Sequence, residues 1–534
     1  MSPRRFRLAA GALLLAAQAA CAGRGGAFPA RPAPETLAPG SPLRSETLGQ
    51  GDAWLRHYLM EGKPDSALLL LAPGARTAPR DALLRELQRG LVLHHAGRWA
   101  ESNAAFEWAE GEAERRWTRS LAQQAGAFLV NDAVVEYVPP PAELAMVPYY
   151  RMLNYMALGS REGTLVEARK ANAYLTRLAD DKAPCVGEGF VRYLTGLVYR
   201  GAGERNDALV SYRQAERSFE ACAGAGGAAA PAWLGTDLYR AALEAGVRPV
   251  ADSAAARYRL SPAAAPGAED AELVVFVEHG WVAHRAHGDI HVPLFPDDVD
   301  GVDDEDEGSV ADAATRVMAR LAGNLSEQAY WGEAWDEHPA NQLGDALEGA
   351  YILKLAWPVF RLEAAAAHGV RVRVDGAEAD PPVAADLSAT LFRRWESQRP
   401  GMLTRMVGRG IAKYLASREL EKKAEKEGGE IAGWLAGRLG NLAGNALERA
   451  DTRSWSLLPD RVSVARFTLP PGEHAVTLEV MGPDGAVART IDLGTVTLAP
   501  RGTLVLNRRV WGDEAGDVRR LAARPSERLQ ARAP

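Results

Sequence analysis

The spacing of Gly196, Tyr199, Gly203, Ala208, Tyr212 and Ala215 constrains this chain more than any other feature. Small residues at these positions let two consecutive helices approach, and the aromatics fill the gap between them. The pattern predicts helices over residues 187–200 and 205–221. Upstream, Gly90, Leu93, Gly97, Trp99, Phe106 and Ala109 repeat it, with Ser102 where Ala is commoner. A looser copy runs through Tyr155, Gly159, Ala168 and Ala171, with an opening helix pair expected over 51–72 and a closing helix over 233–245.

This is the spacing of tetratricopeptide (TPR) repeats, so residues 49–260 are expected to form a TPR-like α-solenoid, each hairpin burying its apolar face on the next. The first helix of each pair would line a concave groove. His94, Tyr149, Tyr193 and Arg200 are the side chains best suited there to contact a partner, while their apolar neighbours read as core.

The first forty-eight residues bear on location. Arg4, Arg5 and Arg7 precede an apolar run from Leu8 to Ala20 that is too short to span a bilayer, and Cys21 follows directly. Residues 1–20 read as an export signal and Cys21 as a lipidated N-terminus; Gln18 stands where the motif usually has Leu. The alternative is cleavage at an A-x-A site and a soluble secreted chain. Residues 21–48, built largely of Gly, Pro, Ala and Ser, read as a disordered tether. Ala22 in place of Asp favours the outer membrane, on its periplasmic side, over the inner one.

Cys185 and Cys222 bracket the best-patterned hairpin, at the ends that meet in an antiparallel pair. An oxidising compartment permits a disulfide there; the alternative is two buried thiols.

After a linker at 261–270 the period changes from helical to alternating. Strands are expected over 272–277, 291–294, 352–360, 370–374, 462–469, 474–480, 487–492 and 504–510, with a turn at Gly482–Gly485. The expectation for 271–512 is a β-sandwich-like domain interrupted by a helical hairpin over 387–450, where Gly433, Gly437, Gly440 and Gly444 suit close helix packing; 513–534 reads as a flexible tail. The whole is expected to be multidomain, α followed by α/β. Asp451, Thr452, Arg453 and Trp455 look like a structural joint, with a binding loop as the alternative.

His279, His284, His287 and His291 lie close together but match no zinc spacing. In the acidic run 297–307, a calcium loop counted from Asp303 through Glu305, Glu307 and Gly308 lacks its closing Glu, since Ala314 stands at the twelfth position. No metal and no cofactor is expected. Nucleotide-binding loops, zinc-protease motifs and nucleophile elbows are absent from the sequence, which argues against an enzyme. A net charge of -7 argues against nucleic acid as a partner.

Two segments carry a broader resemblance. The run Asn131 to Pro139, Leu153-Asn154-Tyr155, and Glu167-Ala168-Arg169 with Asn172 form the first; Ala450-Asp451-Thr452-Arg453-Ser454-Trp455, with Leu458-Pro459 and Leu469 to His474, forms the second. Together they resemble a family of uncharacterised bacterial TPR-like cell-envelope lipoproteins. The resemblance implies an outer-membrane lipoprotein in the setting of peptidoglycan and envelope assembly, and no catalytic residues. The resulting expectation is a membrane-anchored adaptor that binds periplasmic or envelope proteins, with a peptidoglycan- or small-ligand-binding module as the alternative and a cell-wall enzyme behind both.

Overall fold

The structure, a computed structural model, describes residues 48–72, 78–123, 136–180, 185, 187–224, 227–260, 269–302, 307–321, 351–362, 367, 369–428, 450–482 and 484–511. The export signal, Cys21, nearly all of the tether, most of the linker, the glycine pairs at 433–444, the tail and part of the acidic run lie outside them.

The helical layer begins with α1 (Gln50–Met60) and α2 (Pro64–Leu70), then α3 (Ala82–His95) and α4 (Trp99–Gln123). A short α5 (Pro141–Leu144) leads into α6 (Met146–Ala157) and α7 (Arg161–Asp180), followed by α8 (Gly189–Gly201) with α9 (Arg205–Gly224) and α10 (Ala232–Glu244) with α11 (Arg248–Tyr258). Within pairs the small-against-aromatic contact is close. A Cβ built on Gly90 would come within 2.6 Å of the Phe106 ring, and one on Gly196 within 2.4 Å of Tyr212. The α3–α4 and α8–α9 turns pass through Gly97 and Gly203 at φ 72° and 78°, a conformation that side chains disfavour.

The strands are β1 (Ala271–His279), β2 (His284–Leu294), β3 (Tyr351–Arg361), β4 (Gly369–Val374), β5 (Ala377–Ala379), β6 (Val383–Asp386), β7 (Arg461–Leu469), β8 (Gly472–Met481), β9 (Val487–Leu498) and β10 (Thr503–Val510). Between them lie α12 (Pro296–Val299), α13 (Glu307–Leu321) and the long α14 (Leu387–Gly428). They form three small sheets, ordered β10-β1-β7-β6, β2-β3 and β5-β4-β8-β9. In the first, β1 runs parallel to β10 and antiparallel to β7, with Val275 beside Leu506 on one side and Ala465 on the other.

Strand β1 is buried along its whole length, and its alternation divides the molecule. Val274 and Phe276 belong to the apolar cluster shared with the helices, whereas Leu273, Val275 and Val277 pack with Val372, Val374, Val476 and Leu478 of the third sheet. The first sheet is therefore a middle layer, with helices on one face and a second sheet on the other.

This overturns the expected class. The chain is a mixed α/β fold with three small sheets, not a TPR-like solenoid followed by a β-sandwich-like domain interrupted by a helical hairpin. One apolar cluster runs from Trp54 in α1 through Tyr193 in α8 to Val464 in β7, so the helices are not an open array with a free inner face. The physical reason lies on that face. A solenoid groove needs polar side chains that tolerate water, but α6 and α8 present Tyr149, Tyr150 and Tyr193, whose rings are fully buried. In the interrupting region, α14 is one continuous helix through Pro400 to Gly428, and residues 429–449 of the expected hairpin lie outside the described residues.

Candidate functional site

Of the residues expected to capture a partner, Tyr149 and Arg200 are held instead by carboxylates of the first sheet, and His94 and Tyr193 by neighbouring helices. Glu278 of β1, with no exposed surface, accepts hydrogen bonds from the hydroxyls of Tyr149 at 3.1 Å and Tyr150 at 3.0 Å, Asn507 Nδ2 at 2.8 Å and Arg509 Nη1 at 3.1 Å. Burial pushes both tyrosine hydroxyls well above the ordinary phenol range, so they remain donors. His94 packs on the Tyr150 ring at 4.9 Å and places Nδ1 2.6 Å from Asn154 Oδ1. Asn154 in turn donates to Ser102 and Asn103 of α4.

Tyr193 and Arg200 meet in a second cluster at the other end of β1. Tyr193 donates to Asp237 of α10 at 2.7 Å, Arg466 of β7 reaches Asp237 and Glu272, and Arg200 reaches Glu272 at 2.8 Å. Arg240 completes the ring of cations on Glu272. Burial raises the Glu272 carboxyl, but Arg466, Arg200 and Arg240 together outweigh it and hold it below its usual value. The structure thus brings His94 and Tyr149 into one cluster through Tyr150, and Tyr193 and Arg200 into another through Asp237. Neither place is an open groove. Each satisfies buried polar groups where helices meet sheet, as a stable interior requires.

At the joint, Arg453 holds Asp451 through Nε at 2.8 Å and Nη2 at 3.0 Å, reaches Asp81 at 3.0 Å, and lies over the Tyr137 ring. Trp455 is fully buried against Phe106 of α4, while Thr452 is exposed. Beside it, Tyr137 donates to Glu143, whose carboxyl burial raises to about 7. These contacts tie the α3–α5 region to the segment preceding β7.

Cys185 and Cys222 are disulfide-bonded, with Cα atoms 4.8 Å apart, fastening the start of α8 to the end of α9. His279 bonds Ser463 at 3.0 Å and His284 is buried; the His291 side chain lies outside the described residues. Among the described residues no group of three His, Cys, Asp or Glu is placed to hold a metal, and no helix is long and apolar enough to cross a membrane.

An open concavity lies elsewhere, a cleft of about 670 Å³ between α4, α6 and α7. Helix α4 contributes Glu107, Glu110, Glu114 and Trp117, which recur at helical spacing along one face. The floor carries Leu144, Val147 and Pro148. Helix α7 supplies Lys170, Tyr174 and Arg177 opposite. Buried Arg151 anchors the wall from beneath, 2.8 Å from both Glu110 and Glu167. Arg177 forms a two-pronged pair with Glu114 across the mouth, at 3.1 and 2.8 Å, and lies over the Tyr174 ring. The Tyr174 hydroxyl is buried with no hydrogen-bond partner among the described residues. The stripe itself does not mark these residues as a site, because a helical stripe of carboxylates is ordinarily a solvated face. Trp117 within an acidic stripe was the signal available.

The chain matches no protein-family model and no curated protein. Among solved structures it is similar to the crystal structure of BtubC (BKLC) from P. vanneervenii, at 17% identity over 38% of this chain and 74% of that one. The TM-score is 0.26, too low to bear on fold or function.

Proposed function

We propose that this chain is an extracytoplasmic ligand-binding protein, exported on residues 1–20, tethered through Cys21 to the periplasmic side of the outer membrane, and holding a small ligand in the α4–α6–α7 cleft. The cleft carries the reading. Its volume lies within the range of small-molecule sites, and it combines an apolar floor with a few converging polar groups. The disulfide between Cys185 and Cys222 supports an oxidising compartment. With its inner helical faces filled by the first sheet, a groove-type adaptor loses its contact surface.

A second reading, an adaptor for envelope proteins, draws on Trp108, which is 43% exposed on α4. A photo-crosslinking residue placed at Thr118 or at Trp108 in living cells separates the two. A low-mass adduct at Thr118, without a protein adduct at Trp108, is the expected result; a protein adduct at Trp108 alone favours the adaptor. Cys21→Ala is expected to release the protein from the membrane fraction, and its retention there would remove the anchor from the proposal.

A further inference from the structure

The two walls of the cleft differ in charge. Three carboxylates, Glu107, Glu110 and Glu114, lie along α4, whereas the facing stretch of α7 presents Lys170 and Arg177. These charges are not equally committed. Glu110 is held by Arg151 at 2.8 Å and Glu114 by Arg177. Glu107, 66% exposed, comes no nearer than 3.8 Å to Arg151. Lys170, 43% exposed, shares Glu167 with Arg151 at 3.4 Å. Each wall thus offers one charge with room to turn toward a ligand. The Glu114–Arg177 pair across the mouth is more than half exposed on both sides, and such pairs hold together weakly, so it opens at small cost.

Between the walls lie Val147, Pro148 and the rings of Trp117 and Tyr174, a surface for aliphatic side chains. The buried Tyr174 hydroxyl adds a polar group that no described residue satisfies, the kind of group a ligand carbonyl or amide completes.

We propose that the cleft binds a short zwitterionic peptide. Its ammonium group lies against Glu107 on α4, its carboxylate against Lys170 on α7, and its aliphatic side chains on the floor between Trp117, Val147 and Tyr174. Charge complementarity selects this class: a purely cationic ligand would meet Lys170 and Arg177, and a purely anionic one would meet three glutamates. The inference rests on reading the cleft as a ligand site and goes further by naming the ligand's chemistry.

The test is calorimetric titration of the full exported protein with the tetrapeptide Ala-Leu-Ala-Leu. The peptide is used with free ends, with an acetylated N-terminus, and with an amidated C-terminus. Each cap is expected to weaken binding about tenfold, the worth of one charge-assisted contact. Lys170→Gln should weaken the free and acetylated peptides but leave the amidated one unchanged, and Glu107→Gln should do the converse. Both side chains are substantially exposed, so the variants keep the fold. Tyr174→Phe should weaken all three peptides, because it removes the hydroxyl offered to the peptide backbone.

Equal binding of free and capped peptides would overturn the zwitterion while leaving the cleft as a ligand site. Loss on acetylation alone would make it a cation site and also overturn the proposal. Absence of binding up to about 10 mM peptide, alongside a low-mass adduct at Thr118 in cells, would refute the peptide class without touching the broader reading.

Discussion

Tyr149 on α6 and Glu278 on β1, 129 residues apart in sequence, are hydrogen-bonded at 3.1 Å where both side chains are fully buried. The same carboxylate receives Tyr150, Asn507 and Arg509, so one side chain joins the helical layer to two strands. Removing it takes the carboxylate counter-charge from buried Arg509, whose Nη2 keeps the Gly280 and Leu457 carbonyls, and leaves the tyrosine hydroxyls short of an acceptor. Glu278→Ala is expected to cost about 3–5 kcal/mol, against about 1 kcal/mol for Tyr149→Phe, which removes one donor of several. Urea unfolding midpoints at constant slope check both. An Ala variant as stable as the parent would mean that the network does not hold the layers together.

Close helix pairing predicts a pattern among glycine substitutions. At Gly196 a Cβ would sit 2.4 Å from Tyr212, and at Gly90 2.6 Å from Phe106, so Ala at either position must displace a buried ring. Each is expected to lose about 1–3 kcal/mol. Gly201, at the end of α8, has open space where its Cβ would be, and Ala there should be neutral or stabilising by up to about 1 kcal/mol. Thermal melting of the three variants provides the comparison.

Opening the Cys185–Cys222 bridge frees a loop with a sequence separation of 37. The Cys185→Ala/Cys222→Ala double variant is expected to be about 2–4 kcal/mol less stable than the oxidised protein and to become insensitive to dithiothreitol. If reductant lowers the melting temperature of the double variant as well, the effect does not come from this bridge.

Glu143 introduces a pH dependence of definite sign. Burial, opposed by the Tyr137 hydrogen bond, Arg285 and the Trp455 backbone and reinforced by Asp451, raises its carboxyl from 4.5 to about 7. The folded chain therefore keeps this proton where the unfolded chain has lost it. Stability from this group is full below about pH 4.5 and falls as pH rises to about 7, by about 3 kcal/mol in all. His94 and His95 act in the opposite direction, because burial lowers both and stability is lost as pH falls through the unfolded imidazole range near 6.5. Glu143→Gln removes the opposing carboxyl contribution, so between about pH 4.5 and 7 the variant's stability should gain with rising pH relative to the parent, as read from denaturant midpoints across pH.

Much of the local structure was legible in the sequence. An unbroken apolar run anticipated β1, and alternating runs β4, β7, β8 and β10, because a period of two is imposed by a strand with one buried face. The small and aromatic residues at Gly90, Phe106, Gly196 and Tyr212 announced close helix pairs, and Cys185 and Cys222 announced their bridge, because in each case the partners lie within one hairpin. Arg453 and Trp455 likewise showed themselves as a joint, although their contacts with Asp81 and Phe106 were not in view.

What the sequence did not carry was the identity of the surface opposite each face. Tyr149, Tyr193 and Arg200 are as suitable for capturing a foreign partner as for meeting Glu278, Asp237 and Glu272, and nothing local distinguishes the two. Likewise, Glu107 and Lys170 look like solvated helix residues until α4 and α7 are seen to face each other across a cleft. Helix and strand are written in periods of a few residues, so the amino-acid order by itself determined them. Whether a polar-tipped inner face is a groove or an interior depends on which distant segment, 72 residues away for Arg200 and 129 for Tyr149, folds against it, and only the tertiary structure decided that.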